Sequence, residues 1–389
     1  MHSEHANGEA EFVVSGIARV RGGTAVASHE APPPESVRQV LYHVSLGLPL
    51  APGAARRAML DLATVPGSEA RDNLLAALLT GLMARGPAER DVVEVLSAAL
   101  SFDDLETTEL QSPPGSRLVL LAGSGKKGIK SFNISTASAI VAASEGAAVV
   151  KMGSRATSSV MGSRDLAESL GLTHSLTEAE ITAALARTQL AFVPIEEMIP
   201  VLDGLYGGRF HVLNPLSFGL AALAARLRGG VMVFGLAHPK VDLAARVLSR
   251  FGVSDAVVVA SGNSDGYYAD EFGLGERSLL CHVEASEVKE IRTYRSHEVG
   301  SLGPVAPGWA PPPATPAEAQ EWVLRVLAGR GHPVHTHLVA VNAAVILTAA
   351  GLARDIHDGY ERAQNALHTG RAWAKTEEIR EEALCTQTV

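Results

Sequence analysis

Only two cysteines, Cys281 and Cys385, occur in 389 residues. A pair so distant in sequence makes no disulfide framework, and the chain suits a reducing, cytoplasmic setting. Positive charge is also scarce. Lys and Arg number 33 against 42 Asp and Glu, for a net charge of −9 and a pI near 5.9. Nucleic-acid duplexes are gripped by basic surfaces, so no nucleic acid is expected as the main partner. Long apolar runs are missing too. The longest, 338–352, is interrupted by Asn342 and Thr348 and is too short for a bilayer, so it reads as a buried helix and no membrane contact is expected. The opening MHSEHANGEAEF has neither the basic stretch nor the apolar core of a secretory signal. No Gly-x-Ser-x-Gly elbow, Walker loop or paired-Cys zinc spacing appears, and no internal repeat.

What remains is an ordinary globular composition, 47% hydrophobic and 19% charged, in a chain long enough for two domains. Residues 1–35 read as a leader, with a short strand possible over 12–21 and a stop at Pro32-Pro33-Pro34. From 36 to about 110 the apolar residues recur at helical spacing, as in Val37, Val40, Leu41 and Val44, and again in Leu74, Leu75, Leu78, Leu79 and Leu82. This block is expected to be a small all-helical domain. After Pro113-Pro114-Gly115 the period changes. Short runs rich in Val, Leu and Ala (117–122, 147–150, 230–235, 256–260, 279–283) alternate with helical patterns near 134–145, 216–228, 241–251 and 338–352. That alternation predicts an α/β fold over 111–389, a mostly parallel sheet flanked by helices. Thr177 and Glu180 have capping-box spacing ahead of another helix, and a linker rich in Pro and Gly covers 303–316.

The chemistry concentrates in 117–163. One apolar run enters the glycine loop Gly123-Ser124-Gly125-Lys126-Lys127-Gly128, and Asn133-Ile134-Ser135-Thr136 then opens a helix of small residues. A second run enters the loop Lys151-Met152-Gly153-Ser154-Arg155, with Ser159 beyond. Glycine lets the backbone approach an anion, a helix N-terminus aims N–H groups at it, and lysine supplies charge. Two such loops at one end of a parallel sheet form the halves of an anion cradle, because α/β sheets bind ligands beyond the carboxyl ends of their strands. The dinucleotide fingerprint does not fit: Lys126-Lys127 lie inside the glycine loop, and Lys151 stands where an acidic residue is needed. A sugar phosphate or diphosphate is the better ligand.

After the strand at 256–260, the segment 261–271 carries Asp265 and the adjacent pair Asp270-Glu271. Carboxylates at a strand end suit Mg2+, which binds through one or two of them, with water and substrate phosphate completing its shell. His332, His335 and His337 find no acidic or cysteine partner nearby, and Cys281 on an apolar strand reads as core.

FNISTASAIVAA, KMGSRATSSVMGS and DLAESLGL, with FHVLNPLSFGLA, VVVASGN and the closing VNAAVILTAAGLARDIHDGYERAQNALHTGRAWAK, resemble anthranilate phosphoribosyltransferases. The wider superfamily includes pyrimidine nucleoside phosphorylases. The resemblance covers nearly everything after residue 36 and is most specific over 132–159. It implies a helical domain completed by a return segment near 178–205, a larger α/β domain, and a homodimer joined through the helical domain. It further implies a pentosyltransferase that moves ribosyl 5-phosphate from phosphoribosyl pyrophosphate (PRPP) to a small-molecule acceptor, displacing diphosphate with Mg2+. By position, Gly123, Ser124, Gly125, Lys126, Lys127, Asn133, Ser135 and Thr136 would line the diphosphate; Lys151 and Ser159 would hold phosphate oxygens. Ser135, Asp270 and Glu271 would meet the metal, with Asp265 the alternative acid.

The chain departs from the family in the first loop, on the donor side, and at three groups on the acceptor side. Lys126-Lys127 replaces the family's Gly-Asp, and Met152 and Ser154 replace its acceptor-binding His and Asn. The acceptor-binding Arg finds no counterpart in MIPVLDGLYGG before Arg209. A buried carboxylate without its cation costs several kcal/mol. An acceptor other than anthranilate is therefore expected, met by Met152, Ser154 and Arg155, with a role in specialised metabolism. The alternatives are a nucleoside or sugar phosphorylase, since Lys151-Met152 also resembles the corresponding phosphorylase loop, and a non-catalytic paralogue binding nucleotide or nucleic acid.

Overall fold

A computed structural model of the chain describes residues 32–156, 159–295, 298–299 and 312–386. The expected leader strand at 12–21 lies outside them, as does most of the linker. Residues 34–389 form one compact unit.

Four helices come first: Glu35–Ser45, Ala54–Ala63, Glu69–Ala84 and Glu89–Leu100. The helical spacing of their apolar residues turns one stripe of each inward, so Val37, Val40, Leu75, Leu78, Leu79 and Leu82 are all buried. Ser68 caps the third helix by accepting the Arg71 N–H at 3.2 Å.

The main sheet runs Glu287–Val288, Arg277–Glu284, Ala256–Gly262, Val231–Gly235, Val119–Gly123, Val149–Gly153, Leu190–Pro194. The last five are mutually parallel, while Arg277–Glu284 returns antiparallel beside Ala256–Gly262. Every strand expected from the apolar runs is present. Of the five parallel strands one was not expected: Leu190–Pro194, inside the segment 178–205 assigned to the helical domain, pairs with Val149–Gly153. Its five residues LAFVP are too few for periodicity to separate strand from helix. The helix Pro200–Tyr206 that follows does turn back to the helical block, where the Asp103 carboxylate accepts the Val201 and Leu202 N–H groups at 2.8 and 3.0 Å.

Alternate strand residues enter opposite cores. Leu120, Ala122, Val150, Met152, Met232 and Phe234 face the N-terminal helices. Val119, Leu121, Val149, Val231 and Val233 face the helices Ile134–Ser144 and Pro333–Ala349. Both of these helices are apolar nearly all round, which is why they lie sandwiched in the interior.

From Val119–Gly123 the chain moves to one side of the sheet through Val149–Gly153 and Leu190–Pro194, then returns to the other side through Val231–Gly235 and Ala256–Gly262. The reversal leaves a crevice at the carboxyl ends of Val119–Gly123 and Val231–Gly235, the place where such sheets take ligands.

Candidate active site

The crevice holds a cleft, and its walls come from both loops and the acidic segment. Gly123, Ser124, Gly125, Lys126, Lys127, Asn133, Ser135, Lys151, Met152, Ser154, Arg155, Ser159, Asp270 and Glu271 all line it. Two expected residues do not. Thr136 is buried on the helix below, its hydroxyl without a hydrogen-bond partner. Asp265 is exposed at the tip of the hairpin that joins Ala256–Gly262 to Tyr268–Ala269, a turn closed by Asn263 and Tyr267. Asp270-Glu271 is thus the acidic pair at the site.

Gly123 and Gly235 are paired in register on neighbouring strands. A Cβ at Gly123 would lie 2.8 Å from Asp270 Oδ2, and one at Gly235 would lie 1.9 Å from the Asp270 carbonyl oxygen. Only glycine at both strand ends lets Asp270 sit between them. Gly125 and Lys126 follow with φ of +61° and +55°, two successive left-handed residues that swing the loop across the cleft. The Gly125 N–H donates to Asp270 Oδ2 at 2.8 Å. The Ser124 hydroxyl accepts the Ala237 N–H at 3.0 Å and so pins the loop to the adjacent strand end. Ser135 sits in the first turn of Ile134–Ser144, whose N-terminus opens on the cleft. The Asn133 amide bonds the Met161 carbonyl at 3.2 Å, tying the two loops together.

Lys151, Met152 and Gly153, expected in a loop, instead complete the strand Val149–Gly153. The strand position buries Lys151 and Met152 to 2% and 1% exposure. Burial lowers the Lys151 pKa to about 8, with Asp270 pulling it upward and Lys127 downward. Its Nζ donates to the Met152 carbonyl at 2.6 Å.

Lys127 reaches the acidic pair. Its Nζ bonds Glu271 Oε1, lies 3.4 Å from Asp270 Oδ1 and donates to Ser131 at 3.1 Å. Burial alone would lower its pKa, but Glu271 and Asp270 raise it, so the ammonium stays charged. Burial, with Asp270 alongside, pushes Glu271 above the carboxylate range while Lys127 opposes. Asp270 Oδ1 and Glu271 Oε2 are buried without a hydrogen-bond partner. Lone pairs left open on buried carboxylates suit a hard cation, and the pair fits Mg2+ to that extent. Among the described residues no cluster of three or more His, Cys, Asp or Glu could hold a metal by protein ligands alone.

The far end of the cleft lies beyond Met152. Its wall includes Ile199, Leu202, Asp203 and Tyr206 from the returning segment. Arg209 is turned away, paired with Asp72 at 3.4 Å and with the Gly204 carbonyl at 2.5 Å. Lys126 lies over the Tyr206 ring at 4.2 Å, donates to its hydroxyl, and is lowered by burial to about 7. Tyr206 stacks on Phe210 and accepts from Asn214 at 2.9 Å. Glu196 reaches the same wall, accepting the Arg155 N–H at 3.1 Å and pairing with Arg164 at 3.3 Å.

Sequence reasoning missed Asn342. Its side chain bonds both the N–H and the carbonyl of Phe272, at 2.9 and 2.8 Å, and so fixes the backbone just after the acidic pair. The signal was the amide interrupting an apolar helix. The histidines serve structure: His335 packs against Phe132 and Trp322, His337 bonds Tyr360 at 2.9 Å, and His332 caps its helix. Cys281 is core, its thiol pushed up to about 11 by burial.

A glycine loop and a second strand end at the switch point of a parallel sheet, with an acidic pair bonded to the loop, make a cleft of the kind that takes phosphorylated ligands. Residues 116–373 match the glycosyl transferase family, a/b domain. An anthranilate phosphoribosyltransferase of Leptothrix cholodnii is 32% identical over 78% of this chain and 85% of its own. That of Thermomicrobium roseum is 31% identical over 83% and 91%. The crystal structure of the Thermus thermophilus anthranilate phosphoribosyltransferase superposes with a TM-score of 0.68 at 25% identity, covering 88% of this chain and 99% of that one. The Saccharomyces cerevisiae enzyme, solved in complex with PRPP and Mg, shares the fold at a TM-score of 0.68 and 17% identity over 90% and 98%. The chain belongs to this glycosyl transferase family, among the anthranilate phosphoribosyltransferase-like pentosyltransferases.

Proposed function

We propose that the chain transfers ribosyl 5-phosphate from PRPP, or a closely related sugar phosphate, to a small-molecule acceptor other than anthranilate. The donor reading rests on one observation above all: the glycine loop, the N-terminus of Ile134–Ser144, Lys151 and Asp270-Glu271 all line one cleft. Loop and helix N–H groups with Lys151 would take the diphosphate and phosphate oxygens. Glu271, Asp270 and Ser135 would hold Mg2+, which supplies charge neutralisation for the leaving diphosphate. Catalysis is then positional and electrostatic, since fixed donors meet charge as it builds on the leaving group.

The acceptor reading rests on the far wall. Met152, Ile199 and Leu202 make it apolar, while Glu196 and Asp203 put two carboxylates on it. Burial, then the nearby Glu196, raises the Asp203 pKa, which is the mark of carboxylates sharing a region. A benzoate-like acceptor would bring a third negative charge. A neutral or amine-bearing acceptor fits better and would place the reaction in specialised metabolism rather than tryptophan synthesis.

Titration calorimetry against PRPP with and without Mg2+ tests the donor. Binding in the micromolar range is expected, and no binding in either condition rules the reading out. Turnover of anthranilate as efficient as that of amine acceptors would overturn the acceptor assignment.

We further propose a cytoplasmic homodimer joined through the helical block. On the first helix and just beyond it, Tyr42, Leu46 and Leu48 are 64%, 55% and 42% exposed. Large apolar side chains grouped on one helix end are the kind of surface a second copy covers.

A further inference from the structure

Four carboxylate oxygens face the donor side of the cleft, and three are already engaged. Asp270 Oδ2 accepts the Gly125 N–H at 2.8 Å, Lys127 Nζ stands 3.4 Å from Asp270 Oδ1, and the same ammonium bonds Glu271 Oε1. Among the described residues, Glu271 Oε2 alone of the four has neither a donor nor a cation against it, on a residue 3% exposed. Lys127 is braced in this place by Ser131, at 3.1 Å, and by the left-handed turn at Gly125-Lys126 that precedes it. Lys127, in direct contact with the pair while Lys151 and Lys130 act on it from farther away, therefore supplies from within the chain a positive charge that two adjacent carboxylates would otherwise draw from solution. An ammonium and a divalent ion on the same oxygens repel each other across a few ångströms of low dielectric, so each weakens the other's hold.

We propose that Lys127 is a resident cation occupying one of the cation positions on the Asp270–Glu271 pair. The free chain then holds divalent metal only weakly, and the donor complex takes a single divalent ion through Glu271 Oε2 and the donor's own diphosphate. This rests on the donor reading above for the second half of the statement and on Lys127 alone for the first. The device makes metal loading depend on donor binding, since most of the ion's oxygen ligands arrive with the substrate.

Mn2+, followed by electron paramagnetic resonance on the full chain, is the probe. Without donor, wild type should bind Mn2+ at least tenfold more weakly than Lys127→Gln, and Lys127→Arg, which keeps the charge, should behave as wild type. With saturating PRPP, wild type should take up one Mn2+ per chain. Equal Mn2+ affinity in wild type and Lys127→Gln overturns the proposal, as does a stoichiometry of two in the wild-type donor complex. If Lys127→Gln does not fold, the wild-type stoichiometry decides. Failure of PRPP to bind would sink the donor reading, while the donor-free comparison of wild type and variants would still judge Lys127.

Discussion

Asp270 and Lys151 carry the sharpest residue-scale expectations. Asp270 is wedged between two glycines and holds the loop through the Gly125 N–H. Asp270→Asn keeps the volume but not the charge, so Mg2+-dependent turnover should fall by about 100-fold or more, on the scale of removing one preorganised electrostatic group. Asp265→Asn, at the exposed hairpin tip, should leave turnover within about twofold. Steady-state kinetics on the two variants compares them directly. As a donor ligand, Lys151 would tie donor binding to pH. Burial brings its pKa down to about 8, so above that pH the free chain carries it largely neutral. A phosphate brought beside it favours the ammonium and raises the pKa again. Donor binding near pH 8.5 should therefore take up protons, and affinity should weaken as pH rises past 8. Calorimetry in buffers of different ionisation enthalpy reads the proton uptake; pH-independent affinity from 7 to 9 would show that Lys151 does not meet the phosphate.

At the scale of elements, the helix Pro333–Ala349 does more than fill the core. Asn342 is its link to the site, bonding both backbone groups of Phe272 while a further bond reaches Leu338 on its own helix. Asn342→Leu should strand two buried backbone groups at about 1–3 kcal/mol each and destabilise the chain by roughly 3 kcal/mol, as urea unfolding would measure. Donor affinity should fall as well, because the acidic pair loses its backbone anchor. A variant with unchanged stability but lost affinity would point to a direct ligand role instead. How much of each element was legible follows from its composition and its borders. The long helical stripes show their period, and the strands at 119–123, 149–153, 231–235 and 256–262 stand out as apolar runs with glycine beside them. Leu190–Pro194, no shorter than three of these but without a glycine beside it, was read with its helical neighbours, until pairing with Val149–Gly153 made it a strand. Lys151-Met152-Gly153 looked like loop because strand propensity fades at a lysine and a glycine. The ladder to Phe192, Val193 and Pro194 carries the strand through them.

For the whole molecule, the proposed dimer contact on the helical block would bury the exposed Tyr42 and Leu46. Light scattering should give a dimer for wild type and a monomer for the double variant Tyr42→Glu, Leu46→Glu, whose exposed positions leave folding intact; a wild-type monomer would refute the assembly. Most of the donor cradle was legible because it is local: glycines, Asn133 and Ser135 and the strand ends that carry them lie within a few tens of residues, where spacing alone reports the turn and the helix start. The acidic pair showed as adjacent carboxylates after a strand, and the family resemblance set it above Asp265. What the sequence determined by itself was thus the fold class and the family, together with the two glycine-bearing strand ends that line the cleft. The tertiary structure decided the rest. Lys127 meets Glu271 across 144 residues, Asn342 meets Phe272 across 70, and Lys126 meets Tyr206 across 80. Contacts at such separations leave no periodic trace, because nothing in the local backbone requires them. They exist only once the sheet has closed and brought the ends of its strands to one crevice.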